Sequence, residues 1–303
     1  MNKLVESAAK QPTATTLLLY ALIAVYASSR FLQVFPGKVP MLAIVALHVV
    51  PPLVFALIHG AIFYGLRGIL AFFALCFVVG TIVENFGVLT GFPFGHYYFT
   101  DVMGPKIFQV PIFLGLAYLG MGYLSWTLGR VILGGSQRPL GGSRVVTLPL
   151  IAALIMVAWD LCMDPVWATV VHAWIWQQGG AYFGVPVSNF LGWYLHVYIL
   201  YQLFALYLRC RPTNRSPLPS GYWRLAVLFY GVSAAGNLLL VIPRPGFSLV
   251  TEPTGKEWQV SSITAACALA SIFTMGAFAL LAWIRLTGRD SEALASDAAD
   301  TAS

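Results

Sequence analysis

Apolar runs of roughly membrane-crossing length follow one another along almost the whole chain, and that pattern leaves few folds open. Eight can be drawn, at 15–35, 41–64, 68–90, 110–132, 146–171, 189–208, 222–242 and 261–285. Each is close to the ~20 residues that a helix needs to cross ~30 Å of hydrocarbon. Only 9% of the 303 residues are charged and 59% are hydrophobic, whereas a soluble domain carries about 25% charged residues. A soluble core of this size cannot hide so much apolar surface, so lipid takes the place of water around it. The expectation is an all-α polytopic integral membrane helix bundle with about eight transmembrane helices. It forms one domain over 1–288, followed by a disordered Ala/Ser/Asp-rich tail over 289–303.

Lys and Arg set the orientation. With the N-terminus inside, Lys3, Lys10, Arg67, Arg130, Arg138, Arg144, Arg209, Arg211, Arg215, Arg224, Arg285 and Arg289 fall on inner segments. Arg30, Lys38, Lys106, Arg244 and Lys256 fall outside, the bias expected of cytoplasmic loops. An even number of spans then puts both termini in the cytoplasm, with the protein in the cytoplasmic membrane. The formal charge of +6 reads as orientation and not as nucleic-acid binding, because no basic run is interleaved with aromatics in a polar context. Cys76, Cys162, Cys210 and Cys267 lie in or beside apolar runs without a CxxC pair, so they read as small packing residues. The first apolar run has no small-residue cleavage pattern after it and is expected to be a retained helix. Two outer connections, 90–109 and 172–188, are aromatic and rich in Gly and Pro. That composition suits loops that fold back onto the membrane surface, where Trp and Tyr sit well.

Of the acidic residues, only Glu84, Asp160 and Asp164 fall inside apolar runs. An ionisable group at membrane depth is costly and is a functional candidate by default; the plainer role is a carboxylate that ties helices together. Asp160 and Asp164 stand four apart in WDLCMDP and share one helix face. Two carboxylates that close in a dry site cannot both carry charge easily. The one that stays protonated is a usable general acid and its ionised neighbour a usable base. Pro165 cannot donate its backbone bond, which frees a carbonyl near Leu161. By depth, Asn85, Asn189, Asn237, His48 and His196 fall toward the same outer end, so one outward cavity is expected to collect them with the three acids. His96 is a candidate lid residue, whereas His59 reads as packing. No HxxxH or HxxHH box, GxGxxG, Walker loop, GxSxG or HExxH occurs, so neither a metal, a nucleotide nor any other cofactor is expected. Trp159, Trp167, Trp174, Trp176 and Trp193 surround the acidic segment and suit a wall for a flat apolar ligand or a carbocation.

Two stretches carry a resemblance: GTIVENFGVLTGFPFGHYYFTDVMGPKIFQVP, 80–111, and WDLCMDPVWATVVHAWIWQQGGAYFGVPVSNFLGW, 159–193. Together they resemble the membrane-bound carotenoid 1,2-hydratases of bacteria and haloarchaea, of the bisanhydrobacterioruberin and γ-carotene hydratase type. The likeness covers about residues 40 to 285, with Gly115 standing where a proline is expected. It implies addition of water to the terminal C1=C2 bond of an acyclic carotenoid drawn from the bilayer, with other carotenoid-pathway enzymes as possible partners. On that reading Asp160 or Asp164 is the acid and the other the base or cation stabiliser. Glu84 and Asn85 position water or relay protons, and Tyr97, like the aromatic and histidine candidates, borders the substrate. Two other readings stand beside it. Membrane prenyltransferases also carry DxxxD, to hold Mg²⁺ against a diphosphate, but this chain has no second acidic cluster. Proton-coupled transporters also bury Asp and Glu, but no inverted repeat is evident here.

Overall fold

The computed structural model describes residues 13–35, 37–135, 140–211, 218–242 and 248–302, with side chains up to Ser291. Lys3, Lys10, Arg138, Arg215 and Arg244, used above for orientation, lie outside them. Within these residues, seven helices are long and apolar enough to cross a membrane. They are α1 (Ala14–Leu32), α2 (Met41–Thr90), α3 (Ile112–Ile132), α4 (Arg144–Pro165), α5 (Val187–Cys210), α6 (Ser220–Leu238), and a last helix. That last helix is α7 (Val260–Ser271), carried through a π turn at Ile272–Gly276 into α8 (Ala277–Ala302).

Proline marks where four of them begin. Pro40, Pro111, Pro186 and Pro219 stand just before α2, α3, α5 and α6 in extended conformation. A residue there has no intrahelical N–H bond to lose, so proline costs nothing. α1 is capped differently, by Thr13, whose hydroxyl accepts from the Thr16 amide at 3.3 Å.

Helix α2 has 50 residues; straight, it would be about 75 Å long, more than twice the ~30 Å of hydrocarbon. It is not straight. Gly65 sits at φ 75°, ψ 166°, a conformation that only glycine adopts freely. Beyond it the chain turns back, so that Gly60 faces Ile69. A Cβ at position 60 would come within 2.9 Å of Ile69 Cγ1, although nine residues along a straight helix are about 13 Å apart. The two limbs, 41–64 and 66–90, match two of the apolar runs read from the sequence.

Helix α3 is the most enclosed, packed by α2, α4, α6 and α8. Its glycines allow that crowding. Gly120 meets the backbone at Pro52 and Leu53, and Gly129 meets Ala152, as small residues do between membrane helices. Large apolar side chains such as Leu191, Phe273 and Leu280 are exposed on the outside of the bundle, where lipid solvates them.

The two aromatic connections do more than lie on a surface: they pair with each other. β1 (Tyr97–Phe99) and β4 (Trp174–Trp176) form an antiparallel ribbon in the register Tyr97↔Trp176, Phe99↔Trp174. Alternation puts Tyr97, Phe99, Trp174 and Trp176 on the buried face. Two further short ribbons are β2 (Lys106–Ile107) with β3 (Val110–Pro111), and β5 (Leu249–Thr251) with β6 (Glu257–Gln259). The last presents Glu252, which accepts from Thr254 Oγ1 at 2.7 Å and abuts Gly179 and Gly184 of the second connection.

Helix α8 runs on to Ala302, through the segment read above as a tail. The run is poor in apolar residues but rich in alanine, the best helix former, and it continues a helix already nucleated in the bundle.

Candidate active site

Helix α4 delivers Asp160 and Asp164 to one side, each 1% exposed. After Pro165 the helix widens into a π turn, Val166–Val170, an irregularity common near functional sites. The Leu161 carbonyl, which loses its helical partner to the proline, accepts instead from Tyr182 Oη at 3.3 Å. Helix α5 begins just after Pro186 and brings Asn189 across. Its Nδ2 donates to Asp164 Oδ2 at 2.6 Å and to Asp160 Oδ2 at 3.2 Å. One amide thus ties the two carboxyls together. Trp174, from β4, donates its indole N–H to Asp164 Oδ1 at 2.7 Å. Asp164 is therefore held on both oxygens and Asp160 on one.

Glu84 comes from the second limb of α2, two turns before its end, and is 3% exposed. Tyr97 Oη donates to Glu84 Oε2 at 2.5 Å, and Tyr118 Oη of α3 donates to Glu84 Oε1. Gly87 makes room for the first of these contacts: a Cβ there would stand 2.6 Å from Phe94 Cδ2 and 3.2 Å from Tyr97 Oη. Burial, and then the Glu84 carboxylate beside it, push the Tyr97 phenol well above its usual range, so Tyr97 stays a donor. Tyr118 Oη also lies 3.2 Å from His196 Nδ1, and Trp193 stacks on the Tyr118 ring at 4.9 Å.

These groups enclose a cavity of about 20 Å³, lined by Glu84, Asp160, Asp164, Asn189 and the rings of Tyr97, Phe99, Trp174, Trp176 and Trp193, with Leu114 and Met163 on its remaining side. That is room for one water with several polar partners. The aromatic ribbon of β1 and β4 is its roof.

The expected single cavity is thus a smaller gathering. Glu84, Asp160, Asp164, Asn189, Tyr97 and Trp193 line it, and His196 stands one step behind, through Tyr118. Asn85 is elsewhere: it bonds the Thr81 carbonyl and accepts from the Gln109 amide at 3.0 Å, anchoring the 106–111 segment. His96 is exposed and packs on Gly91. His48, Trp159 and Trp167 line a second chamber, and Asn237 bonds Arg30 beside it. Arg30, counted above as an outer charge, is inside the bundle at 4% exposure. Tyr118 was missed by sequence reasoning; a tyrosine in an apolar helix carries no signal of its own. Trp174 and Trp176 had one, the WIW alternation of a strand.

A sequence model of the family described as carotenoid biosynthesis protein matches residues 39–244. The chain is also similar to the bisanhydrobacterioruberin hydratase of Haloarcula japonica, at 29% identity over 123 residues. That stretch is 40% of this chain and 40% of the relative, so the match spans less than half of the relative's length. No solved structure matches.

Proposed function

Because the chain belongs to the carotenoid biosynthesis protein family, we propose that it adds water to the terminal C1=C2 bond of an acyclic carotenoid end, giving a tertiary alcohol. The observation that carries this reading is a water-sized hole between two carboxyl groups that one amide ties together. The hydratase name of the haloarchaeal relative supports it.

The two aspartates differ in what they accept. N–H donors on both oxygens favour the ionised form of Asp164. Asp160 accepts one longer bond and is the carboxylic acid. It protonates C2 of the trisubstituted alkene, leaving a tertiary cation at C1. The Asp164 carboxylate and the faces of Trp193, Trp176 and Tyr97 border that cation, and both kinds of group stabilise positive charge. Water adds to C1 through its oxygen, and Asp164 takes the proton that the oxonium loses. Asp160 has then lost one proton and Asp164 has gained one; transfer between these neighbours restores the starting state. No electrons are exchanged, so the step needs no redox partner. Glu84, with Tyr118 and His196 behind it, is the proton relay. Asn85 acts on the loop and not on the water. Among the described residues no Lys or Arg lines the cavity, which gives the diphosphate of a prenyltransferase substrate no support there.

In the membrane, the fold-back at Gly65 makes eight passes from seven helices, with both termini in the cytoplasm and the cavity toward the outer face of the cytoplasmic membrane. The apolar polyene reaches the site from the bilayer. The test is expression in a lycopene-producing bacterial host and mass analysis of the pigments. Each hydrated end should add the mass of one water. Unchanged pigments across several acyclic carotenoids, with the protein present in the membrane, would overturn the reading.

A further inference from the structure

Beside the acid cavity lies a second chamber of about 50 Å³. The two share Leu114, Met163 and Trp174, so about one layer of side chains separates them. A third cavity, of about 240 Å³, shares Trp167 with that chamber. It lies between the end of α1 and the start of α2, with Leu32 and Phe35 on one side, Val39 and Ile44 on the other, and Val166 and Val170 behind. The three spaces run in series, from the acids through the small chamber to the largest cavity.

The third cavity is built for hydrocarbon. Gln33 and the Trp167 indole are the polar groups among its lining side chains, and Gln33 Nε2 is engaged with the Gly236 carbonyl at 3.3 Å. Phe35 and Met41 line the cavity and are also exposed on the outside of the bundle. It therefore opens on the side that lipid solvates. An apolar space left empty forfeits the contacts that its walls would make with an occupant, so a hydrocarbon chain is favoured there. The α1 side of the cavity, Leu32 to Gly37, stands before residue 39, where the family match begins. That wall lies outside the matched segment.

What separates this cavity from the chamber is one ring. Trp167 stands three residues past Asp164, in the π turn that follows Pro165, so the helix that carries the acids leads directly into the partition. Its ring meets His48 edge-on at 6.0 Å. Trp174 is fixed by its bond to Asp164, whereas no side-chain hydrogen bond fixes the Trp167 indole among the described residues. The Trp167 ring is the movable part of the partition.

Resting on the hydratase reading, we propose that the cavity between α1 and α2 is the lateral portal for the polyene and that Trp167 is its gate. The chain enters from the lipid past Phe35 and Met41 and displaces the Trp167 ring. Its reacting end goes on through the chamber to Asp160, while its body stays against Leu32, Ile44 and Val170. Selection among polyenes then begins at the portal, ahead of the chemistry.

The test uses the full-length protein in detergent and an acyclic polyene. Binding is read by quenching of tryptophan fluorescence and turnover by product mass. The double variant Val39→Phe, Val170→Phe fills the third cavity from two sides without touching the acid cavity. Affinity, and turnover at low substrate, should fall by about tenfold or more, as misfit in an apolar pocket costs. Leu280→Phe, on the exposed outer face, should change neither. Trp167→Ala should speed association by about tenfold, as removal of a conformational step from binding does. Wild-type affinity in the double variant, or association in Trp167→Ala no faster than in the wild type, would overturn the portal. Binding that weakens in the double variant, in a protein whose wild type hydrates no polyene, would support the portal and sink the hydratase reading. Hydration at wild-type efficiency in the double variant would do the reverse.

Discussion

Two clusters of buried polar groups sit at opposite ends of one bundle, and they are built on different plans. Near the reversal at Gly65, His59 donates from Nε2 to the Tyr222 carbonyl at 2.9 Å, and its Nδ1 pairs with Tyr123 Oη at 2.6 Å. Tyr222 Oη donates back to the His59 carbonyl at 2.7 Å, and the two rings stack at 3.8 Å. Every polar atom of the His59 ring is bonded, and none of the three cavities touches it. Glu84 lies on the same helix, 19 residues past Gly65, about 28 Å along it. There the plan is reversed: three carboxyls without a cation, gathered around room for a water. Burial of polar groups is common to both clusters, so burial alone does not mark a site. Leftover bonding capacity beside leftover space does.

Substitution separates the two plans, and Asp160→Asn should have the largest effect. If Asp160 supplies the proton, turnover falls by about 10²–10⁴-fold. The thermal unfolding midpoint in detergent changes little, because a neutral amide takes the place of a neutral carboxylic acid of nearly the same size and can still accept from Asn189. A variant that unfolds easily yet turns over normally when folded would assign Asp160 to structure. His59→Leu should behave in the opposite way. It leaves the Tyr222 carbonyl without its partner and Tyr123 Oη with only the long contact to Tyr222 Oη at 3.4 Å, a loss of about 1–3 kcal/mol of stability, while turnover per folded molecule is kept. Lost turnover at unchanged stability would erase the distinction between the clusters.

The sequence read the broad fold well because membrane passage is written in run length, and 41–64 and 68–90 appear there as two runs, the two limbs that Gly65 folds back on each other. The acids were legible for the same reason: charge at membrane depth has few neutral explanations. Their partners were harder to see. Asn189 was placed by depth alone, and nothing in the chain says that its amide bridges residues 160 and 164. Asn85 and His48 share that depth but do not line the acid cavity, since depth fixes height in the bundle but not direction around a helix axis. The pairing of β1 with β4 joins residues 75 or more positions apart; the aromatic character of each connection was visible, but not that the two pair or in what register.

That pairing gives the finest test of the comparison. Trp174 belongs to the roof and not to a membrane helix, yet its indole N–H, 2.7 Å from Asp164 Oδ1, is one of the two donors that make Asp164 differ from Asp160. Trp174→Phe keeps a ring against Phe99, 6.1 Å away in the present packing, and removes only the donor. Turnover should fall by about tenfold, equivalent to ~1.4 kcal/mol of barrier, with thermal stability little changed. A loss as large as that of Asp160→Asn would mean that the roof orders the whole cavity. No loss at all would mean that Asn189 alone holds Asp164 ionised, and the asymmetry between the two aspartates would then have to come from the Glu84 side of the cavity.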